Sequence, residues 1–401
     1  MGWPGRNKTV IIPDMTAEGE HDTVARAQGK GGEGRGDLRR RAVLLCALFC
    51  GALALRLAHV ASIRDMPFFS RPVGDGQSYW VWAGRLAGGD WIGEGVFYQA
   101  PLYPYLVGVA RWLSGAGPEC VYVAQSALGA AACVLTALAG RAFFSLPSGL
   151  AAGVMLALYP PAIFYDGVIQ KASLDVFLAS LLLWLSARRP ETGLLRRAAT
   201  GAALGLLCLT RENALALAPV GAVWEASFSG RPGWGARAVR AGAFVLGLGL
   251  ALAPVAARNY AVGGELKLTT AQMGPNLYIG NGPQADGFTH PLRRWRDNPM
   301  FERQDATELA EQDLGRKLSA GEVSGYWTAK TLRFIRDNPW RWVALMAKKT
   351  ALTWNALEAP DTEDFYFCRL WSPLLLYGGG VWHFGVVGLW PWQGCGFCDA
   401  G

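Results

Sequence analysis

The side chains suited to chemistry are few and far apart in the chain. Asp75 sits in GDGQSYW (74–80), where a carboxylate can take a proton as a general base or cap the start of a helix. Asp166 and Lys171 lie in YPPAIFYDGVIQKASLD (159–175), between two apolar runs. A lysine at such a mouth attracts phosphate or simply snorkels to the interface. Asp175, one turn deeper, calls for a partner inside a helix bundle. Arg211 stands beside Glu212 in LTRENALALAP (209–219), and Arg258 directly follows another apolar run. An arginine fork grips phosphate or carboxylate, and a bridge between Arg211 and Glu212 is the plainer alternative. One base and three cations, Lys171, Arg211 and Arg258, are what group transfer from a phosphate leaving group requires.

Other chemistries lack their residues. The four histidines are scattered, with no H-E-x-x-H pair, and there is no G-x-S-x-G elbow and no G-x-x-x-x-G-K-[ST] loop. Of eight cysteines, Cys46, Cys50, Cys133 and Cys208 fall inside apolar stretches, and Cys395–Cys398 is an isolated C-x-x-C. No metal and no cofactor is expected, although a divalent ion between Asp75 and Asp166 would suit two carboxylates. The net charge of +7 is not a nucleic-acid footprint, because the arginines cluster beside apolar segments.

The elements that must hold these residues are membrane helices. The chain is 51% hydrophobic and only 17% charged, against about 25% charged in soluble proteins. Outside residues 1–41 and 258–369 the charge is thinner still. The expected fold class is an all-α polytopic membrane protein, with spans at 42–60, 120–142, 149–165, 172–187, 198–210, 213–228, 240–257 and 370–390. Several are shorter than the ~20 residues of a perpendicular crossing. Placing Arg39–Arg41 inside puts Arg141, Arg188, Arg189, Arg196, Arg197, Arg231, Arg237 and Arg240 on the same face, provided 101–113 does not cross.

Four segments then share the opposite face: 61–119, 166–171, Arg211–Glu212 and 258–369. The first contains an amphipathic helix at 74–91 with Tyr79, Trp80, Trp82 and Leu86 as its apolar face. The next stretch, FYQAPLYPYL (97–106), includes Gln99 and Tyr103 and reads as a rigid interfacial segment. Gly and Pro around Asn276 and Asn281 (272–287) read as a turn-rich loop. Residues 300–336 read as a small helical domain (Leu309, Leu314, Val323, Trp327, Leu332, Ile335). An interfacial helix at 339–357 follows, with Lys348 and Lys349 toward headgroups. The expected organisation is a disordered cytoplasmic arm (1–41), a transmembrane module (42–257), an outer helical domain (258–369) and a last span with the C-terminus (370–401).

In order, GDGQSYW, GDW, QAPLYPYLVG, LTREN, RNYAVGGE and NLYIGNGPQADG resemble bacterial GT-C glycosyltransferases over about residues 42–390. The most similar group is family 39, the dolichyl-phosphate-mannose-protein mannosyltransferase-like set, which includes the aminoarabinose transferase acting on lipid A. The resemblance implies a GT-C helix bundle in the bacterial inner membrane, with its N-terminus cytoplasmic and its active site extracytoplasmic. It implies a polyprenyl-phosphate-linked sugar as donor, membrane lipid around the site, and a protein, lipid or glycan acceptor. Asp75 would be the base of an inverting transfer, with Lys171, Arg211 and Arg258 on the phosphate. Asp166, Gln99, Tyr103, Asn276 and Asn281 would line the substrate site. Two departures stand out: Gly76 follows Asp75 where many relatives have a second acid, and Gln99-Ala100-Pro101 replaces an acid-Lys-Pro triplet. The ending GLWPWQGCGFCDAG (388–401) departs from the family's further helices and reads as a truncation or a frame change. A flippase of polyprenyl-linked sugars and a non-catalytic envelope-assembly protein are the competing expectations.

Overall fold

The computed structural model describes residues 18–115, 117–187, 193–227, 233–294, 296, 299–354 and 363–375, with side chains from residue 36 onward. Residues 1–47 and 48–401 form separate compact units. Every regular element among the described residues is helical. In chain order they are α1 (Glu18–Ser62), α2 (Gly74–Ala87), α3 (Leu102–Ser114), α4 (Glu119–Phe143) and α5 (Leu146–Ala157). Next come α6 (Pro160–Asp166), α7 (Ala172–Ser186), α8 (Leu194–Cys208), α9 (Ala218–Ser227) and α10 (Trp234–Gly263). Last are α11 (Met273–Asn281), α12 (Pro299–Leu314), α13 (Ala320–Asp337), α14 (Pro339–Thr353) and the one-turn α15 (Phe365–Cys368).

Three stretches are long and apolar enough to cross a membrane: Gly36–Ser62, Glu119–Phe143 and Trp234–Gly263. α5 and α6 pass the same test only as a pair, bent by 56° at their junction, and make a fourth crossing if the pair is one span. The bend has a local cause, since Pro160 and Pro161 open α6 and neither ring nitrogen can donate to the preceding turn. α7 is apolar but shorter. The protein is therefore an α-helical membrane protein. Residues 376–390 of the expected last span (370–390) are outside the described residues, as are Arg188, Arg189, Arg231, Cys395 and Cys398.

The backbone of residues 18–38 belongs to α1. Once an apolar helix is nucleated, each added residue closes one more hydrogen bond at little cost. The main core gathers Ile63, Tyr79, Tyr103, Tyr122, Phe164 and Ile169 from α1, α2, α3, α4, α6 and the turn after α6. Small residues let the long helices touch: a Cβ on Gly201 would fall 1.8 Å from the Phe244 carbonyl oxygen, and one on Gly247 equally close to that of Ala198. α8 and α10 thus pack backbone to backbone.

The 272–287 segment is not the expected loop, for its first half is α11. Its Gly and Pro residues fit inside a helix because Gly274 packs directly on Ser324 of α13, where any side chain would collide. Around α11–α13 a small second core forms from Ala306, Ala310, Val323 and Trp327. Of the apolar positions expected there, Val323 and Trp327 are buried, whereas Leu314 and Leu332 are exposed. α14 (Pro339–Thr353) lies within the expected 339–357. Its Lys349, however, turns inward and donates to the Gly280 carbonyl at 2.6 Å, in the last turn of α11. Free carbonyls at a helix C-terminus favour a cation there.

Candidate active site

The first turn of α2 carries Asp75, and its capping alternative does not hold. Val73 is the N-cap residue, no side chain caps the helix, and the Asp75 carboxylate makes no hydrogen bond or ion pair. α2 is seated by the opposite face, with Tyr79, Ala83 and Leu86 buried and Trp80 and Trp82 half-buried, as the amphipathic pattern requires. Its first turn also needs glycine. A Cβ on Gly76 would come within 2.9 Å of the Ile169 carbonyl oxygen, so α2 lies directly on the turn that leads to Lys171.

Asp75 has an acidic neighbour that the sequence reading did not identify, Glu302 in the first turn of α12. Tyr98 donates its hydroxyl to Glu302 Oε1 at 2.8 Å. Burial raises the Glu302 carboxyl above the ordinary range, the Tyr98 hydrogen bond opposes the rise, and the Asp75 charge adds to it. A second carboxylate beside a half-buried acid disfavours that acid's ionisation. Burial, then the Glu302 charge, pushes the Tyr98 hydroxyl upward as well, so Tyr98 stays a proton donor.

Beside this acidic corner lies a cavity of about 230 Å³. Ser78, Trp82 and Arg85 of α2 line it, with Phe97, Tyr98 and Gln99 of the following loop, Arg258 of α10, and Met300 and Arg303 of α12. Three arginines and one acid, Glu94, therefore line one small space. Arg303 approaches closely because Gly95 has no side chain: a Cβ there would lie 3.2 Å from Arg303 Nη2. Gly93 and Gly95 both have φ near +60°, a conformation that only glycine adopts freely.

The four segments expected to share one face do converge. Phe97 N–H donates to Asn259 Oδ1 at 3.1 Å, and Ala271 N–H to the Phe97 carbonyl at 2.9 Å. Leu102 N–H donates to the Leu209 carbonyl, and Thr270 and Gln272 donate to Glu212 Oε1 at 2.9 and 2.6 Å. The same contacts redistribute the expected roles. Glu212 serves these two side chains rather than Arg211. Arg211 instead donates through Nε to Asp175 Oδ2 at 2.6 Å, giving Asp175 its expected partner and removing Arg211 from the cavity. Arg258 does line the cavity, yet it donates to the carbonyls of Ile92 (2.8 Å from Nε) and Gly95 and lies 3.9 Å from the Phe97 ring centre. Its first task is to pin the 91–97 loop. Lys171 precedes α7, half-buried, with no hydrogen bond or ion pair from its ammonium group, and does not line the cavity. Arg85 and Arg303, not expected from the sequence, are exposed and free of hydrogen bonds and ion pairs.

Four further assignments are corrected. Asp166 is a structural residue. It is 1% exposed and accepts from Arg56 Nε at 2.6 Å, so it can neither line a substrate site nor share a metal with Asp75. Arg56, unremarked inside the first apolar run, also donates to the Ala52 and Ala157 carbonyls at 3.2 and 3.4 Å. Tyr103 is buried and donates to Gln125 Oε1 at 2.5 Å, while Gln125 Nε2 donates to the Val168 and Asp166 carbonyls. It is a core residue that locks the turn after α6. Asn281 accepts from Trp342 Nε1 at 3.1 Å and ties α11 to α14, and Asn276 is exposed on α11; neither lines the cavity. Gln99 alone of the smaller polar candidates does.

No protein-family model matches the chain, and no curated protein matches it.

Proposed function

We propose that the protein is a membrane glycosyltransferase of the GT-C type. It moves a sugar from a polyprenyl-phosphate donor to an acceptor hydroxyl on the extracytoplasmic face of a bacterial inner membrane. One observation carries the reading: an unbonded, half-buried carboxylate, Asp75, stands one helical turn from a cavity that gathers three guanidinium groups. In this mechanism Asp75 takes the acceptor hydroxyl proton as that oxygen attacks the anomeric carbon. The bond from that carbon to the phosphate oxygen breaks on the opposite side, giving inversion. The departing phosphate keeps the electron pair, and Arg85 and Arg303, whose N–H groups are otherwise unused, take up its charge. Arg258 holds the wall they work from. Glu302, kept protonated longer than an ordinary glutamate, limits the negative charge next to the leaving phosphate.

The test uses purified protein in proteoliposomes with a polyprenyl-phosphate sugar and a hydroxyl acceptor. Release of free polyprenyl phosphate supports the transferase. Movement of the lipid-linked sugar between leaflets without release supports a flippase, and neither outcome supports a non-catalytic assembly role.

A further inference from the structure

A second cavity, of about 190 Å³, opens in the outer helical unit and shares no lining residue with the first. It is smaller than the ~300–1,000 Å³ of sites for drug-sized ligands, so it suits a single ring. Tyr278 and Trp327 supply its aromatic wall, their ring centres 4.6 Å apart. Trp327 is fixed from behind by donating to the Ala306 carbonyl, whereas Tyr278 is half-buried and keeps ring surface open to the cavity.

The polar groups at its rim have unused valences. Lys330 Nζ donates to Asp313 Oδ2 at 3.0 Å and contacts the Tyr326 hydroxyl at 2.6 Å, leaving one of its three N–H bonds. Asp313 uses only Oδ2 for both of its partners, so Oδ1 remains an acceptor. Gln284 is exposed and makes no hydrogen bond. The one cation and one carboxylate that line it are already matched, Lys330 by Asp313, and the His290 ring contacts Asp286 at 2.8 Å, so the cavity has no surplus sign to offer an ion. An adjacent acceptor and donor beside an aromatic wall is the chemistry that holds two neighbouring hydroxyls with the apolar face of a ring behind them.

We propose that this cavity binds one neutral pyranose unit, with Tyr278 against the ring and the Asp313–Lys330 pair and Gln284 on its hydroxyls. The proposal does not rest on the transferase reading, because it requires binding and no turnover. The test is saturation-transfer NMR on the full chain in a zwitterionic detergent without a sugar headgroup. The probes are mannose, glucose, galactose and glucuronate. Expected are ring-proton signals from at least one neutral hexose, weakened roughly tenfold or more in affinity in Asp313→Asn and in Gln284→Ala, both exposed positions. A loss in these two variants places the binding in this cavity, because neither Asp313 nor Gln284 lines the first one. Absence of transfer from all three hexoses, equal binding by both rim variants, or preferential binding of glucuronate would overturn the proposal.

Discussion

Replacing Asp166 by alanine tests whether that carboxylate serves the fold or a substrate. Both it and Arg56 are 1% exposed, and the guanidinium's other contacts are carbonyls at 3.2–3.5 Å and Cys133 Sγ at 3.5 Å. None of these carries a formal negative charge. Removing Asp166 therefore strands a buried cation, which costs about 3–5 kcal/mol. For a chain of this size that corresponds to a fall in melting temperature of about 5–15 °C. A thiol-reactive dye reads it directly in detergent, since Cys133 and Cys208 are buried and become reactive on unfolding. Arg56→Leu combined with Asp166→Leu should recover most of the loss, because no charge is then left behind. A single variant melting within about 1 °C of the parent, or a double variant no better than the single, would refute the structural role. A substrate-binding Asp166 predicts the opposite pattern, normal melting with weakened substrate binding.

Three further outcomes follow from the same contacts. Gly129→Ala places a methyl 2.4 Å from Asp166 Oδ2 and 2.6 Å from Arg56 Nε, in a site with no slack; a loss of about 1–3 kcal/mol should appear in the same melting assay, and an unchanged melting point counts against the packing. Burial lifts the Glu363 carboxyl from 4.5 to about 7, its contact with Cys368 opposing. The folded state then binds more protons than the unfolded one in that window, so stability falls as pH rises from 4.5 to 7. Glu363→Gln should flatten that part of the melting-temperature profile, and an unaltered slope contradicts the assignment. Arg258→Ala removes the hold on the Ile92 and Gly95 carbonyls, at about 1–3 kcal/mol. Amide exchange over residues 91–97 should quicken at least tenfold, and unchanged protection there would show that the loop does not depend on Arg258.

The helices were legible because hydropathy and amphipathic spacing are local properties. The 42–60, 120–142 and 240–257 runs and the Tyr79–Leu86 face all form where the pattern places them. The kink inside 149–165 was readable in principle from Pro160–Pro161, but a window of apolar residues conceals it. Pairings across the chain were not legible. Arg56 meets Asp166 over a separation of 110 residues, and nothing in an apolar run announces a single buried arginine. The cation set failed for a related reason. Arg211 and Arg258 have the expected positions, yet Asp175 and the loop carbonyls reach them first. Glu302 and Arg303, at the start of a charged helix, carry no signal in the sequence that sets them apart, and only the approach of α12 to α2 gives them a role. Asn276 and Asn281 misled because Gly and Pro usually mark turns, whereas here Gly274 meets a crossing helix.

The most direct test of the central claim compares the parent protein with Asp75→Asn for release of polyprenyl phosphate, with binding of the lipid-linked sugar measured on the same preparations. A general base typically contributes about 10²–10⁴-fold, so release should fall by that factor while binding stays close to the parent's. Release at the parent's rate by the asparagine variant would contradict the account.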